Sequence, residues 1–256
     1  MSGEVLSLDG YTPGIGVYVE HMPLACGFRF ESHVHREHQI VWTASSCILV
    51  AVGEHSWVLP PTLALWVPAG VEHTTSAPRA AAMRGVFVHP RIPSPWPVPT
   101  VIAVTAVVRE LIDLLSDLEL LGPTRKRAES LLLDLLRPVY VHTITLPMPV
   151  DPRALEVARH LEEHPSESLG IERWGRRVGA SGRTLSRLFV EETGLTFSQW
   201  RTNARMRTAL TQLAAGDPIT AIAFDAGYST PSAFITAFRR TTGETPGRYF
   251  RDCTPR

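Results

Sequence analysis

The sequence predicts an α+β chain: an antiparallel barrel or sandwich over residues 1–100, helices over 101–150, and an all-α region over 151–256. Three observations predict it. Up to about His89, short apolar or alternating runs rich in β-branched and aromatic residues are separated by Gly and Pro. From Val101 the apolar residues fall at helical spacing. Beyond Pro152 every apolar run is helical, and one helical plan occurs twice.

Taken in order, "GVYVEH", "FRFESHV", "QIVWTA", "CILVAVG", "HSWVLPP", "ALWVPAG" and "GVFVHP" read as strands. The prolines of "RIPSPWPVPT" predict a stiff extended linker. In "VIAVTAVVRELIDLLSDLELLG", Val104, Val108, Leu111, Leu115 and Leu118 line one helix face, which stops at Gly122-Pro123. "TRKRAESLLLDLLRPV" is a second helix ending at Pro138. These leucine-rich faces serve either to pack on their own domain or as a dimer seam. "YVHTITLPMPVDP" reads as a linker, and Asp151-Pro152 as an N-cap with its first-turn proline.

The first helix after it carries Leu155, Ala158 and Leu161, and a short second one Ile171, Trp174 and Val178. After the Gly179-Ala180 turn, Ser181 caps a third helix through Leu185, Leu188 and Phe189 to Gly194. A long helix runs from Phe197 to about Ala215. The plan then repeats: Ile219, Ile222 and Ala223, a turn at Gly227, and a helix with Phe234 and Phe238 ending at Gly243. The separation of the copies, roughly 50 residues, lies in the range of duplicated units. Each copy is a helix-turn-helix, whose second helix fits the DNA major groove.

Bulk charge names no partner, because Lys plus Arg equals Asp plus Glu at 25 each. Residues 151–256 hold fifteen arginines against twelve acidic residues, a net +3, and the remainder is −3. That asymmetry favours a polyanion partner for the second half. Cys26, Cys47 and Cys253 form no CxxC pair and suit a reducing compartment. The start "MSGEVLSLDG" lacks the basic and apolar regions of a signal peptide, and the apolar runs are broken before they could span a bilayer. A cytoplasmic chain with no membrane partner is expected.

The stretch "ESHVHREHQIVW" places three histidines within six residues. Read as one extended strand, His33, His35, Glu37 and Gln39 share a face, and His38 lies on the other. Imidazole at that spacing serves as a metal ligand, a proton shuttle or a polar core residue.

The stretches "GRTLSRLFVEETGLTFSQWRTNARMRTALTQL" and "ITAIAFDAGYSTPSAFITAFRRTTGETPGRYFR" resemble the AraC family of transcription regulators over about the last hundred residues. The resemblance implies a sequence-specific regulator that binds a double-stranded DNA operator, with RNA polymerase as a further partner. It places Arg183, Ser186 and Arg187 of the first recognition helix against the bases and Thr184 against phosphate. Thr230, Pro231, Ser232 and Thr236 of the second have shorter reach, and Arg239 and Arg240 face phosphate. Arginine makes the strongest single base contact, so specificity is assigned mainly to the first helix. Gly175 departs from the family, which usually has alanine there.

"GFRFESHVHREHQ" and "LALWVPAGVEHTT" resemble the two metal motifs of cupin barrels. Gly27, His33 and His35 match the first, with Gln39 where glutamate is common; Pro68, Gly70 and His73 match the second. "LPPTLALWVPAGVEHT" with "MRGVFVHP" is also similar to AraC-type regulators with N-terminal cupin domains, some of which sense nickel. The implied site is His33, His35, Gln39 and His73, with Glu37 as substitute, holding one divalent Ni, Zn, Co, Cu or Fe as effector. Three imidazoles and an oxygen suit those ions better than Mg or Ca. The alternatives are the same regulator answering a small organic effector, a barrel that only dimerises, and a metal-dependent cupin enzyme. The duplicated DNA-reading unit argues against the enzyme. A cupin or jelly-roll sensor over 1–100, a dimerising helical segment over 101–150 and a DNA-binding domain over 151–256 are therefore expected, as a homodimer.

Overall fold

A computed structural model describes residues 16–140 and 144–249. The readings of the extreme N-terminus and of Cys253 lie outside the described residues. Nine strands come first: β1 (Val17–Leu24), β2 (Phe28–His33), β3 (His38–Thr43), β4 (Ile48–Val52), β5 (His55–Leu59), β6 (Leu63–Val67), β7 (His73–Ala77), β8 (Ala81–Val88) and β9 (Thr100–Ala103). Then follow α1 (Ala106–Leu115), α2 (Gly122–Leu135) and the short β10 (Ile144–Thr145). The C-terminal helices are α3 (Pro152–Glu163), α4 (Ile171–Arg177), α5 (Gly182–Thr193), α6 (Phe197–Ala215), α7 (Ile219–Asp225), α8 (Pro231–Thr242) and α9 (Pro246–Tyr249).

The strands form two antiparallel five-stranded sheets, ordered β1-β8-β3-β6-β9 and β10-β5-β4-β7-β2. No ladder joins them among the described residues, so the β part is a pair of sheets rather than a closed barrel. Val41, Leu65 and Met83 of the first sheet share one core with Ile48, Val50 and Leu59 of the second. The period-2 alternation sends Ile40, Trp42, Trp66 and Val86 to the opposite face of the first sheet.

There α1 and α2 cover them through Val108, Leu111, Ile112, Leu115 and Leu132. The stripe read as a dimer seam is therefore spent within the chain: Val104, Val108, Leu111 and Leu115 are buried, and only Leu118 of that series is exposed. Burial of each such leucine contributes roughly 1.5–3 kcal/mol. Helix α1 starts at a true cap, with the Thr105 side chain accepting from Val108 N at 3.3 Å. Arg125 on α2 is almost fully buried and ties the unit together. It donates to Glu129 and to the carbonyls of Val17, Leu115, Asp117 and Leu120.

Two expected linkers are part of the packed structure. Ile92 and Trp96 of the proline-rich stretch pack on the core beneath the helices, and the Trp66 indole donates to Ser94 Oγ at 3.2 Å. Ile144–Thr145 pairs with β5, and β9 pairs with β6, so the sheets extend past residue 100. Pattern alone did not show this because a two-residue strand has no period.

In the C-terminal region α6 runs between two clusters. Leu185, Leu188, Phe189 and Trp200 anchor the first helix-turn-helix, and Leu210, Ile222, Phe234 and Phe238 the second. The second cluster includes Cys47, Val58 and Ile144, so α6 is docked on the outer face of the second sheet. The Asn203 amide donates to Thr145 O at 2.8 Å and the Trp200 indole to Pro147 O at 2.7 Å, fixing the approach. Cys26 is an exposed free thiol. Cys47 is disulfide-bonded, contrary to the expectation of unpaired thiols; cysteines without CxxC spacing carry no local pairing signal. Among the described residues no helix is long and apolar enough to cross a membrane.

Candidate DNA-reading helices and histidine site

The Ser181 hydroxyl accepts from Thr184 N at 3.0 Å, capping α5, and lies 2.8 Å from the Thr184 hydroxyl. Leu185, Leu188 and Phe189 face the core, which leaves Arg183, Ser186 and Arg187 exposed on the other side. The Arg183 guanidinium has no ion-pair partner among the described residues. Arg187 is paired with Glu191 at 3.1 Å in an exposed i,i+4 bridge. Such a bridge is worth about 1 kcal/mol or less and gives way to a better partner.

On α8 the Thr230 hydroxyl accepts from Ala233 N at 3.2 Å, and Pro231 occupies the first turn. Phe234 and Phe238 are buried, and Ser232, Thr236, Arg239 and Arg240 are exposed. The Thr236 hydroxyl donates back to Ser232 O at 2.9 Å. The two recognition helices thus present their assigned residues outward, one with two arginines near its start and the other with small polar groups.

The contacts holding the two units together were not legible beforehand. Arg205 on α6 donates to Pro165 O at 2.9 Å and Glu167 O at 3.1 Å, and lies 5.5 Å from the Tyr228 ring centroid. Arg201 donates to Leu169 O at 3.1 Å. A Cβ on Gly227 would meet Ser166 at 2.9 Å, so the turn of the second unit lies directly against the loop before the first. In the first unit a Cβ on Gly175 would lie 2.7 Å from the Ala180 carbonyl oxygen. Glycine at 175 therefore lets α4 lie against the turn at a distance that a Cβ would not allow unless the turn shifted.

The histidines meet by a route other than strand alternation. His33 ends β2 and pairs directly with His73, which starts β7, after an irregularity in the ladder. Residues 34–37 are not strand but the corner through which the chain crosses from one sheet to the other. His35 sits in that corner, held by Gly70 N donating to its carbonyl at 2.9 Å. Ring centroids are 4.4 Å apart for His33–His73, 4.9 Å for His33–His35 and 5.4 Å for His35–His73. One ring nitrogen from each lies within 4.8 Å of the others.

His33 Nδ1 is 2.7 Å from Glu31 O, and His73 Nδ1 is 3.1 Å from Val71 O. A carbonyl only accepts, so each Nδ1 is the donor, and in a neutral ring so oriented Nε2 keeps its lone pair. The Nε2 atoms of His35 and His73 are buried without a hydrogen-bond partner, as is Gln39 Oε1. Gln39 alternates with Ile40 and Trp42 and so faces the inter-sheet side, like Val41. Glu37 is half-buried in the corner and does not belong to the cluster. His38 faces away, stacked on Trp66 at 5.2 Å and accepting from Ala69 N at 2.9 Å.

Burial, aided by the charges of His33 and His73, pushes the His35 imidazole down to about 4. Burial also lowers His73, and the Val71 hydrogen bond opposes the shift. Both rings are therefore neutral near pH 7, the form in which imidazole binds metal. Buried, neutral and unpartnered nitrogen acceptors fit a borderline transition ion. They also make the metal-free chain acid-sensitive. The unfolded imidazole takes up its proton near pH 6.5. Stability contributed by neutral His35 is thus fully present above that pH and lost as pH falls toward about 4. His35→Gln should flatten the fall in urea midpoint between pH 7 and 4.5 relative to wild type. Parallel pH profiles would show that His35 is not responsible.

Two capped helix-turn-helix units on one connecting helix, each with its second helix outward, define a DNA-binding transcription regulator rather than an enzyme. A helix-turn-helix domain family matches residues 174–252. The HTH-type transcriptional regulator NimR of Escherichia coli K12 is 30% identical over 261 residues, 97% of this chain and 94% of that protein. RipA of Corynebacterium glutamicum is 36% identical over 105 residues, 41% of this chain and 32% of its own length. Among solved structures, the C-terminal domain of AraT, a response regulator from Geobacillus stearothermophilus, is 31% identical with a TM-score of 0.38, covering 40% of this chain and 85% of that one. The chain belongs to the AraC-type family of helix-turn-helix transcriptional regulators.

Within that function, Arg183→Ala should weaken operator binding by about 1–3 kcal/mol and relax preference at a single base pair. Competition against every single-base operator variant is the measurement. A uniform loss across all variants would make the contact one to phosphate.

Proposed function

We propose that this regulator is a cytoplasmic, effector-responsive homodimer whose cupin-like β part holds one divalent transition metal. Its ligands are His33, His35 and His73, with Gln39 as the oxygen donor. Ni, Zn, Co, Cu and Fe all match such a donor set. The observation that carries the reading is the convergence of three imidazoles, two of them with buried, unpartnered Nε2 atoms. Glu37 is set aside because it stands outside the cluster. The role assigned to it is regulatory, because the same chain carries the duplicated DNA-reading unit. Bound metal would fasten the β2–β3 corner to β7 and bias how the sheets seat α6, and through it the two recognition helices.

Calorimetric titration of the chelator-treated full chain with each of the five ions, alongside operator binding with and without ion, tests this. Binding of one ion at one equivalent, with a change in operator affinity, is the expected result. If none of the ions binds, the metal reading fails. If one binds but operator affinity is unchanged, the regulatory role fails.

Dimerisation is assigned to the outward side of the helical segment, where Val107, Leu114, Leu118 and Leu121 are exposed. Val107 and Leu114 lie two turns apart on one face of α1, and exposed apolar side chains grouped on one face favour association. Val107→Glu with Leu114→Glu should give a folded monomer by sedimentation at micromolar concentration. A wild type that is itself monomeric there would remove the proposal.

A further inference from the structure

The two helix-turn-helix units have separate apolar cores, one built on Trp174, Leu185 and Phe189, the other on Ile222, Phe234 and Phe238. Helix α6 gives Ala204 to the first and Met206 to the second. Apolar burial is not directional, and here it is not shared, so it leaves the mutual orientation of the units open.

Arg205 stands between those two residues, half-buried, and reaches both units. Its Nε donates to Pro165 O at 2.9 Å and its Nη2 to Glu167 O at 3.1 Å, both in the loop that leads into α4. On the other side its guanidinium lies over the Tyr228 ring, 5.5 Å from the centroid. Tyr228 follows the Gly227 turn and packs edge-on against Phe234 of α8, with centroids 5.7 Å apart. A planar fork that makes two hydrogen bonds and faces a ring fixes a direction as well as a distance. The units also touch along this line, since a Cβ on Gly227 would lie 2.9 Å from the Ser166 backbone.

We infer that Arg205 is a positioning residue that sets the separation and rotational phase of α5 and α8. It thereby selects operators by the number of base pairs between their two recognition sub-sites, without touching a base. One added base pair moves a sub-site by about 3.4 Å and turns it by roughly 35°. A rigidly held pair of helices cannot follow that change, and the gain from engaging two joined modules is lost when geometry forbids it. The inference rests on the assignment of both α5 and α8 to DNA.

The probe is a duplex selected by the full-length wild type from a randomised pool. Each of its two sub-sites is first replaced in turn. If only one of them matters, the two-helix assignment fails and takes the inference with it. If both matter, the spacer between them is lengthened and shortened by one base pair, at constant salt. Wild type should lose at least about tenfold in affinity for either change, part of the roughly 10²–10⁴-fold that joining two modules confers. Arg205→Ala should cut that penalty to about threefold or less, while keeping the wild-type base preference within each sub-site. Arg205→Lys, which keeps the charge without the fork, should fall between the two.

Arg201→Ala is the control. Arg201 lies one turn earlier on α6, and its bond to Leu169 O and its contact with the Phe197 ring both fall within the first unit. Its spacer profile should match that of wild type. Circular dichroism checks that each variant keeps wild-type helix content; if Arg205→Ala does not, Arg205→Lys carries the test by the same criterion. The inference is overturned by a wild-type affinity that does not vary with the spacer, or by an Arg205 variant with a profile as steep as wild type. Equal flattening in Arg201→Ala also overturns it, since the effect would then be a general loosening.

Discussion

His73→Ala should abolish metal binding while leaving operator affinity in the absence of metal nearly unchanged. His73 is the proposed ligand from the distant strand, aligned with His33 across the β2–β7 ladder. Its Nε2 is buried and has no other partner. Removing a group that merely orients a ligand costs roughly 10–100-fold in metal affinity, so removing the ligand itself should cost at least about 100-fold. The recognition helices lie in another part of the chain, so the DNA contacts survive. His38→Ala is the matched control: it removes a neighbouring histidine that faces Trp66 on the other side of the sheet. Calorimetry on wild type and both variants decides the matter. Equal metal affinity in wild type and His73→Ala would dismiss the site and leave the regulator to an organic effector.

The second large effect is on folding. Leu111→Glu with Leu115→Glu should prevent the β part from folding, not produce a soluble monomer. Leu115 is fully buried and Leu111 nearly so, both against the first sheet. Truncating one buried leucine to alanine costs about 2–5 kcal/mol through lost transfer energy and the cavity left behind. Glutamate adds the desolvation of a carboxylate without a partner. Two such changes approach or exceed the whole stability of a domain, about 5–15 kcal/mol. Thermal unfolding followed by circular dichroism should show loss of the β signal, with helical signal from the C-terminal region remaining. A soluble double variant that melts like wild type would mean that the stripe faces outward in solution and that the seam reading was right after all.

The two recognition units could be read from the sequence because their signals are local. A cap such as Ser181, apolar residues three and four apart, and a glycine turn all fall within about twenty residues, and each specifies its own backbone. Duplication then separated the pattern from the many helical hairpins that resemble a single copy. The outward placement of Arg183 and Arg187 follows directly once Leu185, Leu188 and Phe189 face inward.

The histidine cluster was partly legible. Its residues were identified, but the supposed single strand is interrupted at 34–37, and the three rings are gathered by a sheet crossing and a ladder to residue 73. For the same reason Glu37 was drawn in by an alternation that does not exist, while Gln39 stands on β3.

What the sequence by itself determined is the set of elements, the duplicated DNA-reading plan, and which side chains have the chemistry to bind DNA or metal. Tertiary structure alone decided their company. An apolar helix face is equally satisfied by its own sheet or by a second copy, since burial stabilises in proportion to area and is not directional. Only the packed chain shows that Leu111 and Leu115 are spent internally and that Arg205 draws the two units together. It also shows a cleft between β7 and α6, walled by residues more than a hundred positions apart, for which no local spacing could have been a signal.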